Sequence, residues 1–501
     1  MDAEAPRLVG TRGDNAAFVG SRSDDDGLSA PFGMVQQLDG CEERIHIDMK
    51  DRRHGCGLYH TMIYYLKSMK KPEILAPAGD FTCLQAAIDA GADAVYFGLG
   101  TFNMRARSGV NFKVEDLPEI AHRCAREQET GSREQVRRYL TLNAIMFEGE
   151  MEEVEKTIIA AKPYVDAFIV SDWGVISLCK KHGASFHVST QMSTSNSAAV
   201  RFLAEQGAER VVLARECTLA EVKEIVEKLH CPPPPLTSTS SQPPVEIECF
   251  VHGAQCVAES GRCFMSHNVF GKSACRGECN QPCRRKFIVK AVDLYEDENG
   301  NPVHESDTAF EVEPHTVLSA RDLCSLGFVD KLMAAGIASF KIEGRARNAN
   351  YVKTVTAAYR RAVDAVADGT YTPELVAGLT EDVKRVFHRE FSEGLYFGRP
   401  GADQFADSED SLATTVKRHI GIVIDYFLKA GIAQVKVQDH ALAVGDEIQI
   451  HGPTTGVIEM TAGELRRDEE IVQVCGKGEW VTLKTPRCRV GDKVFFVEKR
   501  L

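Results

Sequence analysis

The feature that most constrains this sequence is a repeated joint: an amphipathic helix closed by glycine, running at once into a short apolar strand. It stands at Ala90-Gly91-Ala92-Asp93, at Gln206-Gly207-Ala208-Glu209 and at Ala335-Gly336-Ile337-Ala338. Glycine ends a helix well because it enters the left-handed backbone region without a Cβ penalty. Strand-like apolar runs occupy 74–79, 93–98, 139–146, 165–170, 185–189, 210–213, 245–251 and 338–342. Short apolar strands that alternate with helices imply a parallel sheet with helical crossovers. Eight of them favour a closed (β/α)8, TIM-barrel-like α/β core over an open doubly wound sheet. No GxGxxG follows the first strand, and after the second Gly98-Leu99-Gly100 runs into Thr101-Phe102-Asn103, which argues against a dinucleotide-binding fold.

The rest of the chain divides around this core. Residues 1–68 carry Gly, Asp, Ser and Arg without helical or strand period. They read as disordered, or as a non-native extension ahead of a start at Met69, with a genuine flexible tail as the other reading. The catalytic domain is expected over 69–400. Within it, Pro232-Pro233-Pro234-Pro235 and a Ser/Thr run mark an exposed insertion at 231–244. Residues 401–415 read as an acidic linker. From 416 to 501, short alternating strands and the repeated turns Val444-Gly445-Asp446 and Val490-Gly491-Asp492 predict a small antiparallel β-barrel.

Composition narrows the function classes. The formal net charge of -13 argues against a protein that coats nucleic acid non-specifically, although binding follows local potential rather than the total. No run reaches the ~20 apolar residues of a membrane helix, so no membrane association is expected. Of 16 cysteines, seven (Cys249, Cys256, Cys263, Cys275, Cys279, Cys283 and Cys324) fall between 249 and 324. A secreted disulfide scaffold would be short and evenly stapled. One cysteine focus in a long α/β chain fits metal or cluster ligation in a reducing, cytoplasmic compartment.

Thiolates are soft anionic ligands for zinc or iron, and four complete a tetrahedral zinc site or a 4Fe–4S cluster. Zinc ribbons use two close CxxC pairs, whereas here six residues separate Cys256 from Cys263 and the fourth candidate is remote. Cys256, Cys263, Cys279 and Cys324 are the expected metal ligands, with Cys283 an alternative. Cys275 is open to either role. Cys249, inside a strand, and Cys83, Cys124 and Cys179 read as packing residues.

The run from 248 to 266, Leu75-Ala76-Pro77-Ala78-Gly79 and Phe340-Lys341-Ile342-Glu343-Gly344-Arg345 together resemble the signature of the collagenase-like U32 peptidase family. The similarity covers about 69–398, and the terminal β domain resembles the extra domain of that family's tRNA 5-hydroxyuridine branch. What the resemblance implies is an oxygen-independent hydroxylase of the wobble uridine of tRNA. It would carry a 4Fe–4S cluster on Cys256, Cys263, Cys279 and Cys324 and depend on prephenate as a small-molecule metabolite. Fe–S assembly proteins are implied as partners. Hydroxylation of rRNA or of a quinone precursor, and the peptidase activity for which the family is named, are the alternatives.

Other residues are placed by the barrel argument, because loops after strand C-termini build the active site. His252 and Arg345 are the candidate catalytic residues; for His252 the other reading is a hydrogen bond that orients the cysteine loop. Arg105, Arg107 and Arg215 would bind carboxylate or phosphate at the mouth, and Asn143 and Gln191 a base edge or a carboxylate. Glu343 reads as an ion-pair partner of Lys341 or Arg345. The basic stretch 276–286 could touch RNA backbone. A peptidase needs an activated nucleophile or water; the chain has no GxSxG and no HExxH, and Ser260 has no evident base.

Overall fold

The computed structural model describes residues 33–38, 41–46, 71–107, 111–125, 135–230, 245–259, 262–287, 289–290, 293–296, 299, 302–305, 309–310, 318–398, 404–408 and 410–500. The insertion expected at 231–244, Ser260 and part of the 401–415 linker lie outside them. The chain forms two compact units, divided between Tyr64 and Tyr65. In the first, Gly33–Leu38 pairs antiparallel with Cys41–His46 as a hairpin. The sequence shows no strand period there; the remainder of 1–68 lies outside the described residues.

In the second unit the eight expected strands are present: β1 Glu73–Pro77, β2 Ala94–Gly98, β3 Arg137–Leu142, β4 Ala167–Val170, β5 Phe186–Val188, β6 Ala208–Val212, β7 Glu246–Gly253 and β8 Ser339–Ile342. Each pairs in parallel with the next, and β8 pairs with both β7 and β1, which closes the barrel. Helices α1 Phe81–Asp89, α2 Leu117–Cys124, α3 Met151–Ala161, α4 Trp173–Lys181, α5 Ser197–Glu205 and α6 Leu219–His230 fill the crossovers between β1 and β7. The connection from β7 to β8 carries α7 Met265–Phe270 and α8 Val329–Ala334; α9 Ala349–Asp368 and α10 Pro373–Lys384 follow β8.

Local chemistry starts and stops these helices. Asp80, Asp172, Asn196 and Asn348 each accept a bond from a first-turn N–H, a cap worth about 1 kcal/mol. Gly91, Gly207 and Gly336 have φ of 83°, 96° and 79°, as the joints in the sequence require. Helix α9 shows the packing. Val352, Val355, Tyr359, Val363 and Val366 bury one stripe against the barrel, each contributing about 1.5–3 kcal/mol. Tyr359 also donates to the Val251 carbonyl at 2.7 Å.

The barrel interior is partly charged. Arg210, 1% exposed, binds Glu73 at 2.5 Å, Glu246 at 2.6 Å and Glu248 at 3.2 Å. Lys341 reaches Glu248 at 2.7 Å, and Tyr139 donates to Glu73 at 2.9 Å. Buried charges persist only when paired in this way. At the opposite end, the short strand Asp322–Cys324 adds antiparallel to the tail of β7, setting Leu323 against Gly253 and Cys324 against His252.

Residues 415–499 form the expected antiparallel domain, an eight-stranded sheet around its own core of Ile420, Val435, Ile450, Leu465, Val481 and Val494. Its ladder runs from Gly456–Thr461 at one end to Glu470–Val472 at the other. Both predicted turns are the same device. Asp446 accepts from Ala443 N–H and Asp492 from Arg489 N–H, each at 2.8 Å, while Gly445 and Gly491 take φ of 93° and 90°.

Candidate functional site at the barrel mouth

A cavity of about 60 Å³ opens at the C-terminal ends of the strands. It is lined by Arg105, Asn143, Gln191, Arg215 and Arg345 from the predicted set. The sequence reading missed Tyr96, Thr141, Ser189, Thr190 and Phe250 and gave Lys341 only a pairing role. Tyr96, Thr141, Phe250 and Lys341 lie within the last few residues of β2, β3, β7 and β8, and Ser189 and Thr190 follow β5, so nearness to strand C-termini was the available signal.

Arg345 is 6% exposed. It donates to Asn103 Oδ1 at 2.8 Å and Thr141 Oγ1 at 3.1 Å, both neutral groups. Burial lowers its pKa to about 10. A Cβ on Gly98 would lie 2.4 Å from its Nη1, so only glycine admits this guanidinium. Glu343 is bound by Arg105 at 2.8 Å and by Arg215 at 3.6 Å. Burial would raise its pKa, but these two guanidiniums outweigh burial and hold it at about 2. The expected partners Lys341 and Arg345 are thereby corrected. Arg215 also donates to Ala254 O at 3.0 Å and lies 4.1 Å above the Phe250 ring. Against Arg105, Arg215, Arg345 and Lys341, the carboxylates are Glu343 and Glu248, the latter shared with Arg210. The mouth is electropositive although the chain is acidic.

Two predicted residues stand elsewhere. Arg107 does not line the cavity; it binds Glu278 at 2.9 Å with its side chain 69% exposed, clamping the cysteine loop. His252 is 2% exposed, boxed by the rings of Tyr351, Tyr359 and Phe391. Burial lowers its pKa to about 3, so at neutral pH it is uncharged and away from the cavity. The catalytic reading is corrected: the ring meets the Tyr359 hydroxyl at 3.4 Å, and the backbone pairs with Cys324.

The cysteine loop folds over the mouth. Ile145 N–H donates to Cys275 O and Arg107 N–H to Gly277 O, each at 3.3 Å. Gly277 has φ 82°, and a Cβ there would lie 2.3 Å from Asn103 O, so the loop sits directly on the segment after β2. Arg276 binds Glu150 at 2.5 Å, and Arg284, 9% exposed, donates to Ser319 Oγ at 3.0 Å. Arg276 and Arg284 of the basic stretch therefore anchor the loop, while Arg285 and Lys286 are exposed.

Among the described residues Cys256, Cys263, Cys279, Cys283 and Cys324 form no disulfide. Burial, and then the nearby thiols of Cys256, Cys279 and Cys275, push Cys263 up. Burial likewise raises Cys283, which feels Cys256, Cys279 and Cys263. Cys263 and Cys283 thus each feel the thiols of Cys256 and Cys279. Cys324 is not with them: burial raises it to about 11, beside Tyr359 and Leu326 N–H. Among the described residues no three His, Cys, Asp or Glu side chains close on one point as ligands of a single ion. The donor type of these thiols suits an iron–sulfur cluster, and Cys283, more than Cys324, feels Cys256, Cys263 and Cys279. Cys83, Cys124, Cys179 and Cys249 are core residues.

Comparison with known proteins agrees with this architecture. The model of "Peptidase family U32" matches residues 79–406. A "Collagenase" of Porphyromonas gingivalis is 38% identical over 434 residues, 85% of this chain and 98% of that protein. "tRNA hydroxylation protein P1" of Bacillus subtilis is 32% identical, covering 77% of this chain and 84% of its own length. The "23S rRNA 5-hydroxycytidine C2501 synthase" of Escherichia coli is 30% identical over 79% of this chain and 55% of its own.

Proposed function

The chain belongs to peptidase family U32 and is an enzyme, and from that premise we propose that it hydroxylates a pyrimidine of RNA, the wobble uridine of tRNA. The relatives named for tRNA and rRNA hydroxylation support the reaction class. The observation that carries the reading to this site is Arg345, a buried guanidinium whose hydrogen bonds go only to neutral groups. Such a charge calls for an anion, and prephenate, a small dicarboxylate, has that chemistry.

Cys256, Cys263, Cys279 and Cys283 would hold the 4Fe–4S cluster, which supplies one-electron chemistry when bound. The chain's own residues do the rest. Arg105, Arg215 and Arg345 bind and orient the anion, bidentately where geometry allows. Glu343 fixes two of those guanidiniums. The loop pinned by Arg107 and Arg276 covers the mouth and limits water. RNA as substrate places the proposed activity in the cytoplasm. No helix among the described residues is long and apolar enough to cross a membrane.

The collagenase name of the Porphyromonas relative favours a peptidase reading. The cavity hydroxyls do not support it. Thr141 donates to Phe97 O at 2.9 Å, Thr190 to Leu213 O at 3.1 Å, and Ser189 Oγ accepts from Asn143 at 3.1 Å. None of these bonds is to a histidine that could activate it. Mass spectrometry of tRNA nucleosides from a deletion strain tests the proposal. Loss of 5-hydroxyuridine derivatives, restored by the intact gene, is expected; an unchanged profile in a strain without a second such enzyme overturns it.

A further inference from the structure

The mouth cavity has two unlike walls. One is cationic, built from Arg105, Arg215 and Arg345. The other is neutral and polar, built from Asn143, Ser189, Thr190 and Gln191. Most of the neutral wall is satisfied internally. Asn143 accepts from Met104 N–H at 3.3 Å and donates to Ser189 Oγ at 3.1 Å; Thr190 donates to a backbone carbonyl.

Gln191 differs. Its Oε1 is sealed from solvent and has no hydrogen-bond partner among the described residues. Buried polar atoms in folded proteins are matched by a partner, so this acceptor calls for a donor. The backbone is committed to the placement. Gln191 sits in the tight turn Thr190–Met192 after β5, closed by Ser193 at φ 51°. A non-glycine residue in the left-handed region is a strain that sites, more than scaffolds, retain.

We infer, resting on the RNA reading above, that Gln191 reads the N–H edge of an extruded uracil while the guanidinium wall holds an anionic group. A carboxylate, having only acceptors, could engage Gln191 Nε2 but would leave Oε1 without a donor. Uracil offers an imide N–H beside a carbonyl, the complement of a carboxamide. Enzymes that act on a base extrude it, read its pairing edge and pack its faces against apolar side chains. Tyr96, Ile169 and Phe250 supply that surface in the same cavity.

The test uses the full chain and two short RNA stem-loops, one with uridine in the loop and one with an abasic site in its place, with binding followed by fluorescence anisotropy. The unmodified protein should prefer the uridine form about tenfold. Gln191→Leu, similar in size but without the amide, should narrow that preference to the part that stacking on Tyr96 and Phe250 supplies. Gln191→Glu provides a second reading should the leucine variant fail to fold. Its carboxylate suits the amino group of cytosine, so preference should move from a uridine to a cytidine stem-loop. Equal binding of both RNAs by the unmodified protein, or unchanged preference in the variants, overturns the inference. The hydroxylation reading, judged by cellular nucleosides, would survive that result. An unchanged nucleoside profile removes both.

Discussion

Arg210 shows how single side chains hold the barrel interior. It meets Glu73, Glu246 and Glu248 where water is absent. Arg210→Leu would leave two nearly inaccessible carboxylates without their main partner, and loss of one member of a buried pair costs about 3–5 kcal/mol. The urea midpoint should fall accordingly; a change under 1 kcal/mol would mean that Arg137 and Lys341 suffice. His252 makes a pH prediction. Its folded pKa of about 3 lies below the ordinary value of about 6.5, so the unfolded chain takes up the proton first as pH falls. Stability present above pH ~6.5 is lost progressively from there toward pH 3. His252→Phe, which suits the aromatic box, should flatten that acid limb in melts between pH 7 and 4. An identical limb would assign the acid sensitivity to other groups, such as His451, also held at about 3 by burial.

At the scale of elements, the decisive piece is the segment from β7 to β8. Its cysteine spacing in the sequence matches no zinc ribbon, and the described residues of its cysteine-rich part, 254–287, are irregular: a six-residue helix, two 3-10 turns and left-handed residues at Gly271, Gly277 and Gln281. Such a loop takes its shape from what it touches, here Asn103, Ile145, Glu150 and Ser319. Anaerobically purified Cys263→Ala protein is therefore expected to lose its iron, acid-labile sulfide and brown colour. Cys179→Ala, altering a fully buried residue of α4, should keep them. Equal iron in both would detach the loop from cluster binding. The regular elements were far more legible, since glycine joints and apolar runs are local signals that need no partner. The positions of Arg107 and His252 were not, because a residue's number along a loop or strand end does not say which way it faces.

At the scale of the whole second unit, the terminal sheet and the barrel share one packed seam. Val457 belongs to the barrel core, Gln449 donates to Asn350 at 3.1 Å, and Lys353 donates to Val457 O at 2.9 Å. Gly456, at φ 66°, lets the sheet approach α1; a Cβ there would lie 2.7 Å from Asp89 Oδ2. Gly456→Val should cost about 1–3 kcal/mol through backbone strain and split a single calorimetric transition into two. One unsplit transition at the original temperature would show the seam to be unimportant. The sequence by itself determined the alternation of strands and helices, the closure at eight, the antiparallel terminal domain and the concentration of thiols after β7. These follow from periodicity, glycine and residue chemistry, which act over a few neighbours. Only the tertiary structure decided which arginines meet in the cavity, that Glu343 serves Arg105 and Arg215, that Cys324 stands apart from the other thiols and that His252 is sealed away. Those outcomes depend on contacts between segments up to hundreds of residues apart, as from Arg105 to Glu343, and on burial, which no local pattern encodes.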